Sequence, residues 1–159
     1  KERYLDAYTV KRVIHEKDYV WGEPLVVSED HELIAYMGGE KEVEIPDGIT
    51  TIGPCAFPME RGIKSVILPE SVKKIGDYAF FSCWLEQIEM RGVEVIEEGA
   101  FFNTRIRHAV LPATVRHIGE KAFYYTGMES ADCIENHSNV VIDDKIFKKS
   151  SRKEKISEQ

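Results

Sequence analysis

The chain has 159 residues, of which 43% are hydrophobic and 31% charged, so it is long enough to fold around a core of its own. Its longest apolar runs are only a few residues, which excludes a membrane-spanning helix. The net charge of −7 argues against nucleic acid and anionic lipid as partners, because both repel an acidic surface.

The first predicted elements are an N-terminal extension over residues 1–24 and a cap over residues 25–40. The apolar positions of the extension fit a helix and a strand about equally, so its structure stays open. After it, Leu25-Val26-Val27 and Leu33-Ile34-Ala35-Tyr36 flank a polar turn. This pattern predicts a β-hairpin that closes one end of the domain.

One block of sequence then occurs four times. The first copy ends at Phe57, and this phenylalanine returns as Phe80, Phe101 and Phe123, at intervals of 23, 21 and 22 residues. Three of the four blocks follow an alternating apolar run that ends in proline, at Pro46, Pro69 and Pro112. Alternation predicts a short strand with one face inward, and proline ends that strand because it has no N–H to donate.

The repeat predicts parallel strands near 43–45, 65–68, 87–90, 108–111 and 130–133, stacked into one continuous sheet. Segments that return between the strands carry residues such as Ile75 and Phe80 inward. One unit of about 22 residues cannot bury its own apolar face, so stability requires an array. The third unit departs from the pattern, since it lacks the proline and has Glu97 where the other three have glycine.

Past the repeats, Met128, Ala131 and Cys133 are predicted as the inward residues of the last strand. Residues 134–147 are predicted as the second cap, with an extended piece from Val140 to Phe147. Residues 148–159 form a tail with five basic and two acidic side chains. We expect this tail to be a solvated terminus, with tethering to an acidic surface as the alternative.

The unit that begins at Ile63 closely resembles the BspA-like (Treponema-type) leucine-rich repeat. It matches that repeat at Val66, Leu68-Pro69, Val72, Ile75-Gly76, Ala79-Phe80 and Cys83. The resemblance covers Leu33 to about Phe147. It implies an α/β-type or mainly-β leucine-rich-repeat solenoid: a right-handed stack of about four to five repeats of 21–23 residues, with a parallel sheet and hairpin-like caps.

The resemblance also implies a bacterial cell-surface or secreted protein that acts in adhesion. No apolar segment follows the basic start of the chain as it would in a signal peptide, so a cytoplasmic location is the alternative. A signal peptide or further domains ahead of Lys1 are compatible with either.

We expect no catalytic residue, cofactor or metal. The five histidines are scattered, and Cys133 and His137 lack the second pair of ligands that a tetrahedral zinc site needs. No nucleophile-elbow, P-loop or dinucleotide motif occurs. Cys83 shares its slot with Thr104 and Thr126, whereas Cys55 occupies a variable outward slot and is predicted to be an exposed thiol.

Aligned strands place their outward side chains in columns about 4.8 Å apart. These columns, together with an outward-facing Trp84, are the predicted partner-binding surface, with a solvated sheet face as the competing interpretation. Phe81 and Phe102 are instead predicted to form a second aromatic ladder. The predicted partner-binding residues are Trp84, Glu86, Gln87, Glu89, Arg107, His108 and Val110.

The leading functional hypothesis is a non-catalytic protein-interaction or adhesion module. A structural spacer within a longer surface protein is the second hypothesis. A hydrolase is a remote third, because it requires a closed pocket with convergent carboxylates. The partner is expected to be a protein, without nucleic-acid binding or membrane insertion, and the sequence leaves the oligomeric state open.

Overall fold

The computed structural model describes residues 25–147 except Pro58, and shows there a β-solenoid of about five turns with almost no helix. The predicted N-terminal extension and the basic tail lie outside the described residues. Successive turns contribute strands to two groups. The front strands are β3 (Glu42–Glu44), β5 (Ser65–Leu68), β7 (Gln87–Met90), β9 (Ala109–Leu111) and β11 (Ile134–Asn136), and the back strands are β1 (Leu25–Val27), β2 (Glu32–Tyr36), β4 (Thr51–Ile52), β6 (Lys74–Ile75), β8 (Val95–Ile96) and β10 (His117–Ile118).

Residues that align between repeats in the sequence also pair between neighbouring strands in the structure. In the front group Val43 pairs with Val66, and Val66 pairs with Ile88, in parallel. In the back group Ile52, Ile75, Ile96 and Ile118 pair in the same way. The predicted parallel pairing is therefore confirmed for these turns, and each proline-terminated strand ends before its proline.

The prediction of one continuous front sheet is wrong. Strands β3, β5 and β7 form one parallel sheet and β9 and β11 form another. Between residues 86–90 and 107–111, within the described chain, no backbone hydrogen bond joins the two sheets. The back strands bridge this junction, because β8 and β10 remain paired and all six back strands form one sheet.

The last front strand lies later in the sequence than predicted. A 3-10 helix occupies Ala131–Cys133, and β11 places Ile134 opposite Ala109. The interval from Met128 to Ile134 is three residues longer than that from Ile106 to Ala109, and the helix takes up this insertion. Ala131 is therefore exposed and Cys133 half-buried, and Ile134 takes the inward place opposite Ala109 that was predicted for Ala131.

A stack of aromatic rings runs along the core. Phe57, Phe80, Phe101 and Phe123 are fully buried, with neighbouring centroids 4.8, 5.4 and 5.2 Å apart and ring planes within 15°. Both caps extend it: Tyr36 lies 5.2 Å from Phe57, and Phe147 lies 6.2 Å from Phe123. The same turns are also joined through the backbone, since the Phe80 N–H donates to the Ala100 carbonyl at 2.9 Å.

The caps close the two ends differently. At the start of the described chain, β1 and β2 form the predicted antiparallel hairpin, and β2 pairs in parallel with β4. At the far end, the predicted extended piece over 140–147 is not a strand. Residues 140–143 have no regular structure, and a 3-10 helix over Asp144–Ile146 follows. The Asp143 carboxylate caps this helix by accepting from the Lys145 N–H at 2.8 Å.

Left-handed backbone recurs once per turn ahead of the core phenylalanine. Cys55, Tyr78, Gly99 and Lys121 have φ between 52° and 61°, although only one of them is glycine. Each donates its N–H to a carbonyl of the following turn, at 2.9 to 3.2 Å. The conformation is therefore imposed by contact between turns and not by the residue type.

Glycine is required at Gly92 for a different reason, the close approach of two turns. A Cβ at this position would lie less than 2.5 Å from the carbonyl oxygen of Glu70 in the preceding turn. A backbone atom cannot rotate away, so the whole segment would have to shift. The missing residue after Met90 therefore brings the third turn against the second and leaves no room for a side chain.

The phenylalanine stack gives a first prediction. Phe80→Ala should lower the free energy of unfolding by about 3–5 kcal/mol, because it opens a cavity between two turns. Phe81→Ala should cost clearly less, since Phe81 is only half-buried. Urea unfolding followed by circular dichroism measures both. A larger loss for Phe81→Ala would contradict the assignment of inward and outward positions.

The close approach at Gly92 gives a second prediction. Gly92→Ala should destabilise the protein by about 1–3 kcal/mol through overpacking against the Glu70 backbone. Gly62→Ala is the matched control, because a Cβ there has its nearest neighbour 3.8 Å away. Thermal unfolding of both variants compares them, and equal Tm values would show that the two turns are not in tight contact.

Candidate partner-binding site

A groove of about 1030 Å³ lies on the solvent side of the front strands, at the junction where β7 and β9 are not hydrogen-bonded. It is open to solvent along its length. Apolar and charged side chains alternate around it because the strands turn every second residue outward. Its lining comprises Ser65, Val66, Ile67, Glu86, Gln87, Ile88, Glu89, Thr104, Arg105, Arg107, His108, Val110 and Gly127.

The apolar part of the groove comes from both sides of the junction. Ile88 belongs to an inward column but is only partly buried, and it reaches the groove beside the smaller Ala109. Val110 is exposed on β9, and Ile67 is half-exposed on β5. A ligand in the groove could therefore cover aliphatic surface as well as form polar contacts.

Charge differs between the two sides of the junction. Glu86 and Glu89 stand on the β7 side, whereas Arg107 and His108 stand on the β9 side, and all four are exposed. Arg91 binds Glu89 through an Nε–Oε1 contact of 2.8 Å, which neutralises part of the acidic side. The groove therefore presents a more basic wall opposite a partly neutralised acidic one.

Trp84 lies beside the groove, between two arginines. Its side chain is 40% exposed, as the repeat alignment predicts for an outward slot. The guanidinium carbon of Arg105 lies 3.6 Å from the centre of the indole ring, and that of Arg61 lies 5.7 Å from it. Trp84 and Arg105 occupy the same repeat slot in consecutive turns, which explains why they stack, and Arg61 comes from the corresponding loop of the turn before.

Six of the seven predicted partner-binding residues line this groove, and Trp84 adjoins it through Arg105. Whether they bind a partner stays a prediction. Arg105 was not among the predicted residues, although it occupies the same repeat slot as Trp84. Ile88 was not predicted either, because its place in the repeat is an inward one and its partial exposure accompanies the gap between β7 and β9.

The second aromatic ladder is present. Phe81 and Phe102 lie 5.6 Å apart, and Phe102 lies 6.1 Å from Tyr124. Tyr78 contacts both Phe81 and Phe102 at 5.9 Å. These half-buried rings join consecutive turns, so we assign them a structural role.

Two of the three cysteines, Cys55 and Cys83, are poorly suited to nucleophilic chemistry. Burial raises the pKa of the Cys83 thiol to about 12. The prediction of an exposed Cys55 thiol is wrong, because Cys55 is half-buried, and burial together with the nearby Asp77 raises its pKa. Across the described residues, no group of three or more His, Cys, Asp or Glu side chains could hold a metal ion.

The chain is similar to known repeat proteins in sequence. The profile of the BspA type leucine rich repeat region matches residues 35–153, in six copies. A search of curated proteins gives no significant match. In the described part of the chain, no helix has the length and apolar character needed to cross a bilayer.

Solved structures show the same fold at low sequence identity. A leucine-rich repeat protein from Bacteroides capillosus is 24% identical, with a TM-score of 0.59 over 74% of this chain and 96% of its own. The pneumococcal vaccine antigen PcpA is 22% identical, with a TM-score of 0.61 over 83% of this chain. The T. pallidum leucine rich repeat protein is 24% identical, with a TM-score of 0.52 over 69% of this chain. The chain spans 42% of the length of PcpA and 66% of that of the T. pallidum protein.

Burial of Cys83 gives a third prediction. At pH 8 a thiol with a pKa of about 12 is thiolate in roughly one molecule in ten thousand, and the Cys83 side chain is also inaccessible. Iodoacetamide should therefore leave Cys83 unmodified in the folded protein and modify it after denaturation. Peptide mass spectrometry gives the extent at each site. Labelling of native Cys83 as fast as that of the half-buried Cys133 would contradict its burial.

Proposed function

Because the chain belongs to the BspA-type leucine-rich-repeat family, we propose that it is a non-catalytic protein-interaction or adhesion module that binds its partner in the front groove. The observation that carries this proposal is the groove itself, where apolar and charged side chains face solvent together. A purely structural spacer would have no use for such a surface.

The position of the groove supports the proposal. Residues that pack between turns recur in each repeat, whereas Glu86, Arg107 and His108 occupy slots where residue type varies freely. Such slots can acquire specificity without a loss of core packing. Next to these slots, an apolar patch around Ile88 lies at the gap between β7 and β9. Partly apolar patches of this kind are common at protein interfaces.

The arrangement of carboxylates favours binding over hydrolysis. Glu86 and Glu89 are exposed in an open groove, and Arg91 engages Glu89. A glycoside hydrolase that works through a carboxylate pair requires one carboxyl group whose surroundings hold it protonated, beside another that stays ionised. Family membership points to the cell surface or the extracellular space as the place where this module acts, and we include that location in the proposal.

Capture by the immobilised full chain tests the proposal. The wild type should retain a specific protein from a mixture of extracellular-matrix and cell-surface proteins. The double variant Glu86→Lys, Glu89→Lys should change the affinity for the captured protein by about tenfold, because it reverses the charge of one wall of the groove and rim charges control encounter and selectivity. Surface plasmon resonance with the identified partner measures the ratio.

A matched control separates the groove from overall charge. Asp77→Lys with Glu120→Lys makes the same change of charge at exposed positions in the return segments, outside the groove. This variant should bind like the wild type, and both double variants should keep nearly the wild-type Tm. An unchanged affinity in the groove variant would place the interaction elsewhere on the chain.

A further inference from the structure

The most distinctive feature beside the groove is an indole ring placed between two guanidinium groups. Arg61 comes from the turn before Trp84 and Arg105 from the turn after it. An arginine that stacks on an aromatic face keeps its N–H donors in the plane of the guanidinium, available to a ligand. Trp84 therefore lies between the guanidinium groups of Arg61 and Arg105 and orients their N–H donors.

These two guanidinium groups lack anionic partners within the described part of the chain. No ion pair or side-chain hydrogen bond there involves Arg61 or Arg105, although arginine readily forms bidentate pairs with carboxylates. Arg107 is likewise unpaired among the described residues, and it lines the groove together with Arg105. An acidic protein of net charge −7 thus keeps three exposed arginines without an anionic partner among the described residues, two of them in the groove and one beside it.

We propose that the Arg61–Trp84–Arg105 stack and Arg107 recognise a partner polypeptide through a cluster of carboxylates next to aliphatic side chains. This inference rests on the proposed function and specifies the partner of the same groove. The carboxylates bind the guanidinium groups, and the aliphatic side chains cover Ile88 and Val110. Charged groups and apolar surface are adjacent in the groove, so a single segment of the ligand should carry both the carboxylates and the aliphatic side chains.

A polypeptide fits these residues better than a uniform polyanion such as a sulfated glycan. Glu86 and Glu89 line the same groove as Arg105 and Arg107, so they repel a ligand that is negative along its whole length. A polyanion would also leave the aliphatic surface of Ile88 and Val110 uncovered. A peptide with its charge at one end avoids both penalties.

The test uses the full chain with Trp21→Phe, so that Trp84 is the remaining tryptophan of the two in the sequence. The probe is a fluorescein-labelled peptide with a run of glutamates followed by a run of valines. It should bind, change the fluorescence of Trp84 and dissociate as salt is raised. Arg61→Gln with Arg105→Gln should weaken binding at least about tenfold, the typical effect of removing hydrogen bonds to charged groups.

Matched variants and probes make the outcomes decisive. Lys73→Gln with Arg116→Gln removes the same charge at exposed positions outside the groove and should leave binding unchanged. Arg105→Lys, which keeps the charge but not the planar guanidinium, should bind more weakly than the wild type. Peptides with lysine in place of glutamate, or serine in place of valine, should bind more weakly as well.

The inference is overturned if no peptide binds, if the lysine or serine peptide binds as tightly, or if heparin binds more tightly and displaces the probe. Its failure is separable from that of the proposed function. If the Glu86→Lys, Glu89→Lys variant changes the affinity for the captured partner but the Arg61→Gln, Arg105→Gln variant does not, the groove binds a protein by other contacts.

Discussion

The solenoid depends on the burial of one phenylalanine per turn between the aromatic rings of its neighbours. Each such side chain removes a large apolar area from water, and stacked rings add a smaller favourable term. A single turn has no partner for its phenylalanine, so no turn is stable alone. The caps satisfy this requirement with aromatic residues of their own, Tyr36 and Phe147, which continue the stack at either end.

The fold could be predicted in detail because every turn has the same packing requirement, so the same residue pattern recurs in each repeat. The spacing of the core phenylalanines gave the turn length, and the alternation before each proline gave the parallel front strands. The back strands β4, β6, β8 and β10 were missed because two residues are too few for alternation to be visible. β11 was misplaced because a 3-10 helix absorbs an insertion that no repeat position marks.

The candidate site was predictable only in part. Alignment identifies which slots face outward, so it placed Glu86, Arg107, His108 and Trp84 on the surface. It does not show that Ile88 is uncovered, since that depends on hydrogen bonds that fail to form between β7 and β9. It also treats Arg105 as an isolated variable residue, whereas stacking on Trp84 fixes the direction of its donors.

The interrupted front ladder also bears on how cooperatively the chain unfolds. In a solenoid, stability is a sum of terms within each turn and terms between neighbouring turns. Between the turns of β7 and β9 the interface retains the back-strand pair and the stack of Phe101 on Phe123, but it lacks the front hydrogen bonds. We therefore expect this junction to separate two cooperative units, so that amide protons from β9 to Phe147 exchange with solvent in sub-global openings that leave the earlier turns closed.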